Sequence, residues 1–551
     1  KDALAFGKHG PRGLKYEDYK LALTQELLDA IFINGAENKL EVLTDGTTSA
    51  LTRLNDQNIS GYQRLATGEY WMRSGVAGFA DDAWKHFYLP ERYTDPFGNL
   101  TTLEYDPRDL FIQSSVDARK NTTKVVHFDY RVLAPREMED INGNLTEVAF
   151  DVMGMVVALA VKAGGDNLSG FEQLGITNPP HSLTSAFFNS QTLNVQQAND
   201  WLLNATARFV YNFGEERDDQ GRLLKWMARP AGACGIQRER HVNQADSTGK
   251  GPFQVALECS DGSGNVIMNK MKAEPEEGKT GLRWIVSGKT VMNNKGKPVK
   301  QYEPYFTDDF GCTVVDEEGV TSIMYYDAPG RLIRTEMPDG SYSRVEFSPW
   351  HMKTFDANDT VLEPNNAWYA RNAAGSAAQQ RAASLAAGHK DTPSITILDS
   401  LGREVIAIAH NKTKYSNASE VEARYVTFTK LDAEGKPLWI RDARGNLVMR
   451  YTVPVMLETG KLSDPTQDFC PAYDIAGNLL YQHSMDAGDR WMLMDAGGKP
   501  MLAWDANERQ TDSRLKMEQC LYFIEYEELH RPTGQWLSIN GATAQKVEHF
   551  E

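Results

Sequence analysis

The sequence predicts a mainly β protein, an antiparallel β-hairpin ribbon with short helical insertions. Three observations predict it: an excess of Asp-x-x-Gly turns, a step of 11 or 12 residues between turn aspartates, and aromatic residues set beside those aspartates at twice the step.

Asp-x-x-Gly occurs fourteen times, starting at Asp95, Asp140, Asp151, Asp218, Asp246, Asp261, Asp308, Asp316, Asp327, Asp399, Asp432, Asp442, Asp474 and Asp495. With 39 Asp and 44 Gly in 551 residues, chance would place about three. An aspartate opening a type I turn accepts hydrogen bonds from backbone N–H groups ahead of it. The glycine in fourth place takes the left-handed conformation that returns the chain antiparallel. Asn or Arg often follows, as in Gly98-Asn99, Gly143-Asn144, Gly330-Arg331, Gly445-Asn446 and Gly477-Asn478, which suits a solvated hairpin end.

Spacing sets strand length. Asp95, Asp106, Asp117, Asp129, Asp140 and Asp151 step by 11, 11, 12, 11 and 11, and Asp316, Asp327 and Asp339 by 11 and 12. A four-residue turn and a strand of about six or seven residues fill such a step. Two steps make a hairpin, so Tyr105-Asp106, Phe128-Asp129 and Phe150-Asp151 recur 23 and 22 residues apart. Tyr326-Asp327, Phe347-Ser348, Trp504-Asp505 and Tyr526-Glu527 repeat the arrangement. One aromatic at a fixed place in each hairpin would stack on its neighbours. Tyr105, Phe128 and Phe150 are therefore expected on one face, and Phe128→Ala should cost roughly 3 kcal/mol if the ring is buried. A regular period of this length implies an elongated or closed repeat architecture.

Some stretches break the rhythm. Residues 1–90 form a pre-repeat segment whose "LTQELLDAIF" (Leu23–Phe32) spaces its apolar residues as a helix does. Residues 91–551 form the repeat region, which stops in mid-pattern, with helical inserts near 194–205 and 371–390. The first insert rests on "NVQQANDWLLNATARFVY" (Asn194–Tyr211). The second rests on the Ala- and Gln-rich "RNAAGSAAQQRAASLAAGHKDTP" (Arg371–Pro393), a helix expected to end near Gly388. No Pro- or Ser-rich linker divides the chain.

Composition excludes several classes of function. The net charge is -17, from 58 basic and 75 acidic residues, and no block of Lys and Arg stands out. Phosphate binding needs clustered positive charge, so a nucleic-acid partner is disfavoured. The cysteines (Cys234, Cys259, Cys312, Cys470 and Cys520) are odd in number, and no two form a CxxC. They read as small buried apolar residues, not as a disulfide framework or a metal site. The most apolar stretch, Val152–Val161, is about half of what a bilayer crossing needs. The chain begins at Lys1 without Met or a signal-like segment and reads as a piece of something longer.

Several segments carry a resemblance. "LEYDPRDLF", "YYDAPGRLIRTEMPDGSYSRVEF" and "AYDIAGNLL" resemble the YD repeats of RHS-repeat proteins. "GKTVMNNKGKPVKQYEPYF" (Gly288–Phe306) and "DAGDRWMLMD" (Asp486–Asp495) are similar to the RHS region of the B component (SpvB/TcdB-type) of bacterial insecticidal Tc toxin complexes. The likeness runs from about Asp81 onward. It implies a ribbon spiralling into a hollow shell. The shell, with a C component or the remainder of the RHS shell, encloses a toxic cargo domain. A pore-forming A component docks through a β-propeller and translocates the cargo, and the complex is secreted. No hypervariable toxin domain, propeller or self-cleavage aspartates of that family are matched here.

No catalytic, cofactor-binding or metal-ligating residue is assigned. Asp309-Phe310-Gly311 imitates a kinase triplet, but no Gly-rich loop or HRD-type loop accompanies it, so it reads as one more turn. The eleven histidines hold no HExxH and no close pair, and neither GxSxG nor a P-loop occurs. Sequons at Asn121 and Asn144 read as Asn-rich turns. The expected function is a non-enzymatic shell segment. The alternative is an adhesive or ligand-binding YD-repeat surface protein, which disulfide pairing or a membrane anchor would favour. A carbohydrate-active enzyme comes third and would need acids converging in a pocket. An open ribbon leaves an edge to cover, so the C-terminal strands near Tyr522–Tyr526 are expected to pair with a further polypeptide.

Overall fold

The computed structural model describes residues 6, 16–34, 37–162, 174, 179–218, 220–226, 230–242, 251–261, 263–312, 319–414, 419–511 and 514–551. Strand makes up 46% of it and helix 13%, so the mainly β class holds. From Tyr93 to Val161 there is no helix. The strands Pro90–Thr94, Leu100–Tyr105, Ile112–Val116, Thr122–Asp129, Ala134–Glu139, Leu145–Phe150 and Val156–Lys162 follow one another there, with a turn aspartate closing each of the first six. The eight α-helices among the described residues are α1 Gln25–Phe32, α2 Lys39–Val42, α3 Ala50–Asn55, α4 Gln57–Ser60, α5 His181–Asn189, α6 Val195–Leu202, α7 Ala367–Ala373 and α8 Ala377–Ala387. The expected helices at Leu23–Phe32 and 194–205 are α1 and α6. The 371–390 insert is two helices, parted at Gly375, and a reciprocal Ser376–Gln379 capping box starts α8. Gly388 does end α8, but with φ of -64°, not in the left-handed conformation.

The chain forms two compact units, residues 1–122, 396–409 and 424–551 in the first, 123–395 and 410–423 in the second. In the first unit, Val76–Phe79, Pro90–Thr94, Leu100–Tyr105 and Ile112–Val116 pair antiparallel in chain order. So do Tyr481–Ser484, Gly488–Met494, Pro500–Thr511, Arg514–Tyr526, Pro532–Ile539 and Gln545–His549. Strands Tyr19–Thr24 and Glu69–Arg73 pair with each other, and with α1–α4 they cover the C-terminal strands. Leu23, Leu28, Phe32, Leu54 and Tyr70 bury themselves against Leu480, Trp491, Leu493, Trp504 and Phe523. The backbones approach closely enough that a Cβ on Gly46, at φ of +90°, would lie 2.8 Å from Thr543 Cα. The pre-repeat segment therefore packs on strands more than 400 positions away. Hairpin period, a local property, carries no trace of this.

The expectation that Tyr522–Tyr526 pairs with another polypeptide is overturned. Tyr522 is registered with Ala503 on one side and Leu537 on the other, and Tyr526 with Pro532. The hairpin carries on for two further strands, and Gln545–His549 pairs with Pro532–Ile539.

In the second unit, Ala134–Glu139, Leu145–Phe150, Val156–Lys162, Ala207–Asn212, Ala231–Arg238, Phe253–Ser260, Val266–Ala273, Arg283–Ser287 and Tyr305–Thr307 pair in that order. A second run pairs Thr290–Met292, Pro298–Tyr302, Thr321–Tyr326, Leu332–Glu336, Tyr342–Phe347 and His351–Phe355. Where α5 and α6 cover the sheet, Phe253–Ser260 alternates buried and exposed residues over a core of Phe187, Ile236, Leu257, Trp284 and Phe310. Uncovered strands behave differently. Leu332–Glu336 has no buried residue, and neither does Leu100–Tyr105 in the first unit. These strands are single-layered, held by their hydrogen-bond ladders and cross-strand pairs rather than by a core.

One cysteine expectation fails. Cys259 and Cys312 form a disulfide, while Cys234 and Cys520 are buried as expected and Cys470 is half-buried. The bridge spans 53 residues, and only the strand order brings its ends together.

Candidate functional site

The recurrent element is a clamped turn. In the Asp140 turn, Oδ1 accepts from the backbone N–H of Asn142 at 2.8 Å and of Asn144 at 2.9 Å, while Oδ2 accepts from Asn144 Nδ2 at 3.0 Å. Asn99, Asn121, Asn265, Asn446 and Asn478 repeat the side-chain clamp on Asp95, Asp117, Asp261, Asp442 and Asp474. Arg222, Arg331 and Arg403 supply it by guanidinium to Asp218, Asp327 and Asp399. The residue after the glycine thus closes the turn, a role beyond the solvation read from sequence. The asparagine side chain, then the backbone N–H groups, hold the Asp140 and Asp261 carboxyls below the usual range. Twelve of the fourteen glycines have positive φ. Gly249 lies outside the described residues, and Gly311 is an exception.

Tyrosines beside the turns are placed by their hydroxyls. Tyr105, Tyr326, Tyr473 and Tyr526 donate to the carbonyls of Pro90, Pro298, Pro437 and Pro500 at 3.0, 2.8, 2.8 and 2.9 Å. Each proline opens an earlier strand, so the bond ties one hairpin to the one before it. Cross-strand ring stacking is found in the C-terminal hairpins, where Trp491 faces Trp504 at 6.0 Å and Phe523 faces Trp536 at 5.9 Å. Phe128 meets Tyr130 edge-on at 5.1 Å and is only half-buried, so its truncation should cost about half of the roughly 3 kcal/mol expected for a buried ring.

The Asp308–Gly311 match is not a hairpin turn. Phe310 is fully buried, with its ring 5.0 Å from both Phe187 and Trp284. Lys270, 3% exposed, donates to the Asp309 and Gly311 carbonyls at 2.9 and 2.7 Å and to Asp309 Oδ2 at 3.0 Å. Burial pushes this ammonium's pKa down, and the Asp309 carboxylate opposes that. With the neighbouring disulfide, the segment is an anchor set into the second unit's core. A charged side chain, a ring and a sulfur from distant strands make it, so no local signal could have found it.

The first unit holds a cleft of about 590 Å³ where turns from its two ends meet. His530, at φ of 58°, has its ring 4.5 Å from Phe97 of the Asp95 turn and 4.6 Å from Tyr526. Its Nε2 lies 2.9 Å from Oδ2 of Asp495, which is 1% exposed. Arg119, from the Asp117 turn, reaches Glu527 at 3.0 Å and Glu528 at 3.3 Å. The Arg531 side chain, ahead of other donors, holds Glu527 down to about 2. Burial, then the Asp495 charge, pushes Tyr526 up to about 12. Ser60 O accepts from Ala496 N at 2.7 Å, fixing the pre-repeat segment to the same turn. Among the described residues no three His, Cys, Asp or Glu side chains gather as a metal site. Asn121 and Asn144, the sequon asparagines, are turn clamps.

No family model matches the chain. Toxin subunit YenC2 of Yersinia entomophaga is 24% identical over 163 residues, which is 29% of this chain and 15% of that protein. The crystal structure of TcdB2-TccC3 aligns with TM-score 0.61 at 17% identity, covering 96% of this chain and 29% of that one. A Photorhabdus luminescens Tc holotoxin pore aligns with TM-score 0.64 at 16% identity, covering 97% of this chain and 31% of that one. The chain spans under a third of the length of these relatives. Its fold, in short, is that of the TcdB2-TccC3 Tc toxin structures, as the YD motifs implied.

Proposed function

We propose that this chain is a wall segment of a secreted toxin complex, enclosing a cytotoxic cargo domain until it is translocated into a host cell. The observation that carries this reading is the ribbon's uncovered, single-layered strands, whose hairpins are clamped at their turns and bonded in chain order, on a fold shared with TcdB2-TccC3. A wall needs strength along the ribbon without a solid core behind it, and clamps, tyrosine ties and cross-strand stacks supply that strength. The wall performs no chemistry, since its acids are occupied in turns. Its partners are the C component or remaining RHS shell with the cargo, and the pore-forming A component. The disulfide favours the adhesive surface protein as the second reading. An oxidising compartment is what it requires, and secretion supplies that for either.

The test uses the full-length polypeptide that contains this segment, co-purified with its cargo-bearing partner. Cargo should resist protease until urea opens the complex. Cargo digested at the rate of the free domain would overturn the reading, and binding to host cells without any partner would support the adhesive protein.

A further inference from the structure

Asp495 departs from the other clamped turns. Its Oδ1 accepts from Gly497 N at 2.8 Å and Lys499 N at 2.9 Å, as in the Asp140 turn. Most turns give Oδ2 an asparagine or arginine four residues on, while the Asp151 and Asp432 turns have Met155 and Lys436 there. Here that residue is Lys499, whose ammonium sits 6.0 Å above the Tyr526 ring. Oδ2 is faced instead, at 2.9 Å but without hydrogen-bond geometry, by Nε2 of His530 from the next turn along that edge, and His530 packs on Phe97 from some 400 residues earlier. One clamp has been replaced by a titratable side chain from another hairpin, at the seam between the first unit's N-terminal and C-terminal hairpins.

We propose that the Asp495–His530 pair makes this seam a pH-sensitive latch, closed in acid and loosened as the pH rises. The sign follows from burial. Closed, the seam strips water from Asp495, and that desolvation raises its pKa, opposed by the turn N–H groups and by His530. Opened, the carboxyl meets water and returns to its ordinary range near pH 3.8. The closed seam therefore binds more protons than the open one. Support from this group is complete below the ordinary carboxylate range and is lost as the pH climbs through the raised value. The other charged groups around the pair are Lys499 on the Asp495 turn, Glu525, Glu527, Glu528 and Arg531 around the His530 turn, Arg53 from α3 and Arg119 from the Asp117 turn. Asp474 and Asp495 both face Tyr62, and Tyr526 lies beside Asp495; burial raises both tyrosines, so they stay neutral. Glu527 is already engaged by Arg119 and Arg531, which leaves His530 to Asp495.

Hydrogen exchange on the full-length protein tests the latch from about pH 4, the ordinary carboxylate range, to pH 8.5, after correction for intrinsic amide exchange. Protection of residues 95–99 and 527–531 should fall with rising pH, by up to about tenfold per pH unit for each linked proton. The Asp442 turn should stay level. His530→Asn keeps a side chain that tolerates positive φ, so the seam should stay closed, and the slope should persist but move to higher pH, because His530 opposes the raised value of a still-buried Asp495. Asp495→Asn removes the titrating carboxyl and should flatten the profile. A level wild-type profile, the wild-type slope persisting in folded Asp495→Asn, or a His530→Asn slope moved to lower pH would overturn the proposal. If neither variant folds, the wild-type slope against the Asp442 turn decides alone.

Discussion

Phe310→Ala is the substitution that separates a core anchor from a surface turn. A phenyl ring of this kind buries about 150–250 Å², which at about 25 cal/mol per Å² corresponds to roughly 4–6 kcal/mol as an upper bound. Phe310 is fully buried, and the rings of Phe187 and Trp284 lie 5.0 Å away on either side. Measured Phe→Ala losses run about 3–5 kcal/mol, larger where the site cannot collapse. Collapse is restrained here, because Lys270 holds the carbonyls on both sides of Phe310 and Cys312 is bonded to Cys259. The loss should therefore be about 4 kcal/mol. Urea unfolding followed by tryptophan fluorescence reads it directly, since Trp284 lines the same core. A loss under about 1 kcal/mol would refute the reasoning and return Asp308–Gly311 to the solvent-facing turn that its motif suggested.

Reduction, or Cys312→Ser, should destabilise the second unit by about 4 kcal/mol for a bridge spanning 53 residues, read by the same urea curves with and without reductant. Tyr473→Phe removes only the hydroxyl that reaches Pro437 and should cost about 1 kcal/mol; no change would mean that the ring alone fixes that tyrosine's place. Acid should act on the clamped turns in the opposite sense from the latch. The lowered carboxyls of Asp140, Asp261 and Glu527 contribute stability above the ordinary carboxylate range, and it is lost as the pH falls below about 4. Circular dichroism between pH 6 and 2 should show strand loss beginning only there.

What the sequence disclosed was local. The turn at Asp140 is written in four adjacent residues, and the helix α8 in a run of Ala and Gln, so both could be placed to within a few positions. Tyr105 was located correctly beside its turn, yet the reason for its place, a bond to Pro90, depends on strand register. What stayed hidden was long-range. Nothing near Gly46 announces Thr543, nothing near Cys259 announces Cys312, and Tyr522 gives no sign that its partners lie at Ala503 and Leu537. The Asp495–His530 pair belongs to the same class. Asp495 matches the turn motif perfectly, and Lys499 at the clamp position does not set it apart, since the Asp432 turn has Lys436 there.

The wall reading is tested most directly by cryo-electron microscopy of the full-length polypeptide together with its cargo-bearing partner. The account predicts that the clamped hairpins line a cavity wide enough for a protein domain, with cargo density inside it. A solid interior, or cargo held wholly outside the ribbon, would contradict it.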